Sequence, residues 1–357
     1  DEIIKINGII NPDLIAEGTE LYIPGLEGIS GRLISHPINI GETLEDISIE
    51  YSIPLQTLLK INKITSANEI YVGTNIIIPV LDNRETLSVA SIIQPQDTLL
   101  ENAVRQQINP WIILFQNHLN TGNTLIPNSP LFAEVKSEQA VSRISFSIRN
   151  VAISPLPLVQ GTTITIKVET TTPIDLSGKI GDHTLYFFPY PDQPNRYYAL
   201  QGIHAMAEVG LVPFNLTGTT AGSTIFSYDQ MLLQKAGNFI QDPPLQVKDE
   251  TVDPAITKPE DDLVYSYVSQ VTPQKYWQGA FRYPVDGSVE DDTIGFMSTF
   301  GDRRSYNGSD YSYFHSGLDF GVFTNSLNIY AAESGMVVYT GSLTVRGNTT
   351  FIDHGQG

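Results

Sequence analysis

The segment YFHSGLDFGV, residues 313–322, sets His315 and Asp319 four positions apart. Imidazole and carboxylate both ligate divalent metals, and residues i and i+4 share a face in a strand as well as in a helix. The two side chains are therefore expected to converge, and a metal is the chemistry they invite. A catalytic zinc normally takes three protein ligands plus a water whose pKa falls to ~7. The chain has no cysteine, so any zinc must be held by imidazole and carboxylate. Its six histidines are His36, His118, His183, His204, His315 and His354, and none forms a His-x-His pair. His183 and His204 stand singly among apolar residues and read as structural. The metal assignment thus stops at His315 and Asp319, with no residue of the chain assigned a catalytic role.

The elements that must position these residues are constrained by the whole chain. Its 357 residues suggest two to four domains. With 39 acidic and 20 basic residues the net charge is -19, which repels a phosphate backbone and argues against nucleic acid as a partner. No apolar run approaches the ~18 residues of a membrane span, so no transmembrane segment is expected. Residues 1–20 show no basic start followed by an apolar core, so a signal peptide is either absent or already removed. A cysteine-free chain rich in Thr, Asn and Ser suits a secreted or extracytoplasmic protein.

An internal repeat dominates the first third. A shift of 55 residues lays IIKINGIINPDLIAEGTELYIP on LLKINKITSANEIYVGTNIIIP without a gap, pairing Asn7 with Asn62, Gly18 with Gly73 and Pro24 with Pro79. The same shift carries Thr43 onto Thr98, Leu44 onto Leu99, Ile53 onto Ile108 and Asn62 onto Asn117. The third copy is degenerate, with Asn128 where the second has Gly73. Each unit reads as a short strand (HPINI), a Gly-acid-Thr-Leu turn whose Thr43 can cap a helix, two short helices and a closing strand (NIIIPV).

This β-α-α-β pattern, with GETL at the first turn and the closing N…G…I.IP, resembles the LysM (lysin motif) module. The resemblance divides the region into a partial repeat at 1–25, a full repeat at 34–80 and a degenerate repeat at 87–133. It implies binding of peptidoglycan and other N-acetylglucosamine-containing glycans in a shallow groove between Gly41, Glu42, Thr43 and Leu44 on one side and Asn68, Glu69, Ile70 and Tyr71 on the other. The degenerate copy is expected to contribute little.

From residue 141 short β-branched and aromatic runs alternate with Gly, Pro, Asn and Asp turns, as in an antiparallel sandwich. Residues 141–248 are accordingly expected to form an immunoglobulin-like β-domain. Residues 249–275 read as an acidic linker with one short helix after Pro259. Residues 276–357 carry, in order, W.G.F..P, S.FG.RR.YN, HSGLD, IYAAESGMVV and IDHG.G. This series resembles the first part of the lysostaphin-type zinc metallopeptidases, which cleave peptidoglycan cross-link peptides.

That resemblance implies the first half of an antiparallel β-sheet peptidase domain, Zn2+ on His315 and Asp319, and a third ligand in a downstream His-x-His. His354 lies in a turn that the family places before its catalytic histidines. The strand FID running into HGQG, and a start inside a repeat, lead to the expectation that the sequence is an excerpt of a longer protein. The expected fold is multidomain α+β and all-β. The expected function is a cell-wall-associated zinc endopeptidase anchored by LysM repeats, inactive as this chain alone. The alternative is a non-catalytic peptidoglycan-binding or regulatory scaffold with a degenerate peptidase domain.

Overall fold

The computed structural model describes residues 2–24, 28–66, 69–81, 85–122, 125–134 and 142–356. It is a mixed α/β chain, rich in small sheets, that divides into two compact units: residues 1–150 with 228–231, and residues 151–227 with 232–357.

The first unit opens with helix α1 (Glu2–Ile6). It continues as β1 (Arg32–Pro37), α2 (Leu44–Glu50), α3 (Leu55–Asn62) and β2 (Asn75–Val80), and then as β3 (Ser88–Ile92), α4 (Leu99–Gln106), α5 (Pro110–Gln116) and β4 (Pro130–Ala133). β1 pairs antiparallel with β2, and β3 with β4. The first strand thus ends at Pro37 rather than running through HPINI. Its continuation is diverted because the Glu42 carboxylate accepts from the Asn39 amide at 2.9 Å and folds residues 39–42 into a turn.

Chemistry repeats with the 55-residue period. Asn62 donates to the Leu58 carbonyl (2.9 Å) and the Ile77 carbonyl (2.9 Å) and accepts from the Ile77 amide (2.7 Å). Asn117 does the same with Ile113 (2.9 Å) and Phe132 (2.8 and 2.7 Å), and Asn7 with Ile3 (2.9 Å) and Tyr22 (2.6 and 2.5 Å). One amide side chain therefore ties the end of a helix to both backbone groups of a residue fifteen positions on, a demand only Asn meets with both a donor and an acceptor on so short a stem.

Left-handed residues recur in step as well. Gly8, Lys63 and His118 have φ of 60°, 54° and 53°, and Gly18, Gly73 and Asn128 have φ of 83°, 86° and 71°. Asn tolerates this conformation at small cost, so the loss of glycine at 128 leaves the turn intact. Helices α2 and α4 both start with a capping box, Thr43 with Asp46 and Thr98 with Glu101. The third copy is thus built in the same element order as the second, its sequence differences falling where the backbone accepts them.

The two full copies are joined through shared packing. Ile38, Leu44, Ile47, Leu58, Ile76 and Ile78 fill the core of one, and Ile93, Ala103, Ile113 and Leu131 that of the other. Between them Leu87, Val89, Ile92 and Phe132 pack against Ile49 of α2 and against Phe146. Arg143 binds Glu50 and meets Glu42 at 3.0 Å while its guanidinium lies 5.5 Å from the Phe132 ring centroid. One cation thereby spans both copies.

The second unit contains a four-stranded and a five-stranded sheet. The strands are β5 (Ile148–Ser154), β6 (Leu158–Val159), β7 (Thr163–Thr170), β8 (Asp175–Ile180), β9 (His183–Leu185), β10 (Phe188–Pro189), β11 (Arg196–Gly202), β12 (Gly210–Thr220) and β13 (Ser223–Lys235). The orders are β10-β11-β7-β5 and β6-β13-β12-β8-β9, with the β6–β13 pair parallel. Alternate residues of β7 are buried (Ile164, Ile166, Val168), as in sheets with one covered face. After Lys235 the chain leaves the sheets, and Gln241 and Leu245 bridge to Arg303 and Tyr306.

Two helices follow, α6 (Asp249–Val252) and α7 (Pro254–Val268). The helix is longer than the short segment expected after Pro259 and begins five residues earlier. Asp253 caps it by accepting from the Ala255 amide at 2.9 Å, and Pro254 takes the first helical position, where a missing N–H costs nothing. The remaining strands are β14 (Ile294–Ser298), β15 (Arg303–Arg304), β16 (Tyr313–Phe314), β17 (Asp319–Val322), β18 (Met336–Leu343) and β19 (Gly347–Asp353), paired β14–β17, β15–β16 and β18–β19. Glu260 of α7 receives the Thr344 and Val345 amides at the β18–β19 turn and pairs with Arg346 at 3.4 Å. Tyr267 of the same helix packs on Tyr339 and Phe351.

The clamp makes a quantitative prediction. Asn117→Ala strips the buried Phe132 amide and carbonyl of their partner and should cost roughly 1–3 kcal/mol in urea unfolding. Asn7→Ala, whose partners are exposed to water, should cost clearly less. The helix contact predicts a pH dependence. Burial opposes ionisation of Glu260, but the Val345 and Thr344 amides and Arg346 outweigh it and hold its carboxyl below the ordinary value. A depressed carboxyl stabilises above its unfolded pKa and loses that contribution as pH falls through the folded one. The Thr344 and Val345 amide shifts should therefore stay constant at neutral pH and move only below pH ~4; in Glu260→Gln that step should vanish.

Candidate functional site

His315 and Asp319 do meet, but not as neighbours on one strand face. His315 follows β16, Asp319 opens β17, and a bend at Gly317 lies between them. The His315 backbone is fixed by its amide donating to Asp302 O (2.8 Å) and its carbonyl accepting from Gly301 N (2.7 Å). Asp319 is fixed by pairing with Ser298 across β14–β17. Nε2 of His315 and Oδ1 of Asp319 stand 3.3 Å apart.

The other imidazole nitrogen sets the chemistry. Nδ1 lies 3.2 Å from Thr299 O, which can only accept, and 3.1 Å from Ser298 Oγ, which can donate, so the ring proton has a partner on either nitrogen. With the proton on Nδ1, Nε2 presents a lone pair beside the Asp319 carboxylate; with the proton on Nε2, it donates to Oδ1. The first tautomer is the one that accepts a cation between the two groups, and the second needs none. With ligand distances of about 2.1 Å, two vertices of a tetrahedral zinc shell lie about 3.4 Å apart, close to the spacing found. A histidine ligand whose second nitrogen donates to a backbone carbonyl is the arrangement that orients a metal-binding imidazole. The pair fits two ligands of a divalent metal. Among the described residues, no group of three or more His, Cys, Asp or Glu is placed to hold one.

The neighbouring motif residues do structural work. Asp302 accepts from Thr299 N (3.0 Å) and Thr299 Oγ1 (2.7 Å), which positions the carbonyl that His315 uses. Arg303 donates to Ala205 O at 2.7 Å, and Arg304 pairs with Asp242 at 3.0 Å. His354 donates through Nδ1 to Ser334 O at 2.9 Å and packs edge-on against Phe281, far in the sequence from His315 and Asp319.

The groove residues of the central copy are largely consumed by its own fold. Gly41 adopts φ of 83°, and a Cβ there would sit 2.9 Å from Ile144. Glu42 is buried, accepting from Asn39 and contacting His36 Nε2 at 2.9 Å. Leu44 is core, and Thr43 spends its hydroxyl on the Asp46 amide at 3.1 Å. Burial pushes the Asp46 carboxyl up, partly offset by the Thr43 amide that it accepts. On the opposite edge Glu69 holds Thr65 at 2.6 Å, Ile70 packs on the core and Tyr71 is half-buried with its amide on Thr74. Asn68 lies outside the described residues.

The third copy presents the same edges differently. Gln96, at the Gly41 position, is left-handed with φ of 72° and exposed where Gly41 is buried, whereas Thr98 is exposed just as Thr43 is and caps its helix in the same way. Asp97 still organises the turn by accepting from Gln94 N at 3.0 Å and pairing with Arg105 at 3.2 Å. Across from it Leu125 is half-buried and Ile126 exposed. Sequence reasoning passed over Gln96, Thr98 and Ile126 because it ranked copies by their match to the motif. The copy with the poorer match has the more accessible groove.

Comparison with known proteins bears on this region. Residues 36–79 match the family described as LysM domain. That stretch is a LysM domain. A Homo sapiens protein named "LysM and putative peptidoglycan-binding domain-containing protein 2" is 25% identical over 114 residues, 31% of this chain and 49% of that protein. The chain spans about half the length of this relative. Among the described residues, no helix is long and apolar enough to cross a membrane.

The metal geometry yields an expected outcome. Two protein ligands leave most of a zinc shell to water, so calorimetry of this chain should show no tight site. Sub-micromolar zinc binding lost in His315→Ala would mean that another residue completes the shell.

Proposed function

We propose that this protein binds N-acetylglucosamine-containing glycan of the cell wall through its tandem LysM copies, and that it works outside the cytoplasm. One observation carries the reading: the LysM match at 36–79 falls within a repeat whose asparagine clamp, capping boxes and left-handed turns recur at 88–133. Two weak sites on one chain reinforce each other through effective concentration.

The finer reading is a zinc endopeptidase of peptidoglycan cross-link peptides, targeted by these copies. It is supported by the order of motifs across 276–357 and by the 3.3 Å approach of His315 Nε2 to Asp319 Oδ1. Zinc bound there would polarise a scissile carbonyl and lower the pKa of its water. His315 would hold it through Nε2 and Asp319 through Oδ1, with Nδ1 of the bound imidazole donating to Thr299 O. The competing reading, a non-catalytic wall-binding scaffold, is favoured by the lack of a third ligand among the described residues.

Titrating the full chain with N-acetylglucosamine oligomers by NMR should move the amides of residues 96–99, 125–126 and 69–71, and leave Gly41, Glu42 and Leu44 nearly still. A silent spectrum at millimolar ligand would remove the glycan reading. In dye release from labelled peptidoglycan this chain should be inactive with zinc supplied. A longer form supplying a third ligand should be active and lose that activity in His315→Ala while still binding wall. Binding without release in such a form would favour the scaffold.

A further inference from the structure

A cleft of about 940 Å3 runs between the two full LysM copies. Its walls come from the Ser52–Pro54 turn of one copy and from α5 and Leu87 of the other. On it stand Trp111 and Phe115, 75% and 84% exposed, with Ile112 beside them. Large aromatics are seldom left this open without a use.

The repeat itself shows that the fold does not require them. At the 55-residue shift Trp111 corresponds to Gln56 and Phe115 to Lys60, both exposed on α3. The same helix in the same fold is built with polar residues there. The aromatic pair was added to one copy only, on the wall of the cleft that faces its neighbour.

The polar groups around the aromatics are the Glu85 and Glu134 carboxylates, which accept, and Ser52, Asn109 and His118, which can donate as well as accept, while Gln116 donates to Glu134 Oε1 at 3.2 Å. Among the described residues no Lys or Arg lines the cleft. An occupant must therefore offer an apolar face to the rings, hydrogen-bonding groups of both kinds to the rim, and no negative charge beside the two carboxylates. A neutral amino-sugar oligomer has all three: axial C–H groups on one face, hydroxyls and acetamide N–H at its edges. Anionic polymers would meet two carboxylates.

We infer that the cleft between the copies is a glycan-binding site, distinct from the strand–helix grooves, in which Trp111 and Phe115 stack on neutral N-acetylated pyranose rings while Glu85 and Glu134 accept from their hydroxyl and amide groups. This rests on the glycan-binding reading above and adds a second surface to it. The shared packing of Leu87, Phe132 and Ile49 that joins the copies is what forms the cleft.

The chain has two tryptophans, Trp111 and Trp277, so Trp277→Phe in the full chain leaves one reporter in the cleft. N-acetylglucosamine oligomers should shift Trp111 emission to the blue and saturate. Phe115→Ala should weaken the midpoint about three- to tenfold, and Phe115→Tyr should retain it. The indole N–H signal of Trp111 in unmodified protein reports the same event without a substitution. If the chain is captured by insoluble chitin while Trp111 stays silent, the glycan reading stands and the cleft site falls. If neither responds, both fall. An equal response to an anionic polysaccharide or a basic apolar peptide would also overturn the cleft as a glycan site.

Discussion

The amide side chain of one asparagine per repeat is the constraint on which the first unit depends. Asn62 and Asn117 each close a helix onto a returning strand with three hydrogen bonds, and Asn7 makes the same three in the leading half-copy. Because the bonds reach both the N–H and the C=O of one residue, they set the register as well as the distance. Everything displayed by the loops on either side, from the capping boxes to the exposed edge at Gln96 and Thr98, is held relative to that anchor. A shorter or longer side chain, or one lacking either a donor or an acceptor, could not meet all three partners.

On this common frame the two copies divide their surface differently. In the central copy the first turn is packed by residues 143–144, and Glu42 and Glu50 are occupied by Arg143. In the third copy the corresponding turn is open, and α5 carries aromatic residues where α3 carries Gln56 and Lys60. Burying a cation among carboxylates repays its desolvation only where the geometry is good. Arg143 hydrogen-bonds Glu50 and also lies over Phe132, so a residue that contacts both copies packs the first turn of one of them as well.

Much of this was legible in the residues. The period of 55, the Thr-x-x-acid starts and the asparagine at each helix end could be read directly, because each is a side-chain demand at fixed spacing. What could not be read was which copy would be accessible. Asn128 looked like a loss of glycine, yet it accepts φ > 0, as does Gln96 at the position of Gly41. Trp111 and Phe115 carry no motif, and only the packing of α5 shows that they face outward. Pro259 suggested a helix start, whereas Pro254 after Asp253 provides the actual one and Pro259 is carried inside. His315 and Asp319 were expected to share one face of a strand or helix and instead converge through a bend, with Ser298 Oγ and Thr299 O both on the other ring nitrogen.

On the proposed reading, a chain of net charge -19 should bind neutral sugar by shape and hydrogen bonding rather than by charge. Co-sedimentation of the full chain with insoluble chitin and with purified peptidoglycan tests this most directly. The account predicts depletion from the supernatant by both, release by soluble N-acetylglucosamine oligomers, and little change between low and high salt. A chain that stays in the supernatant with both polymers, or that binds cellulose equally and is released by salt alone, would contradict it.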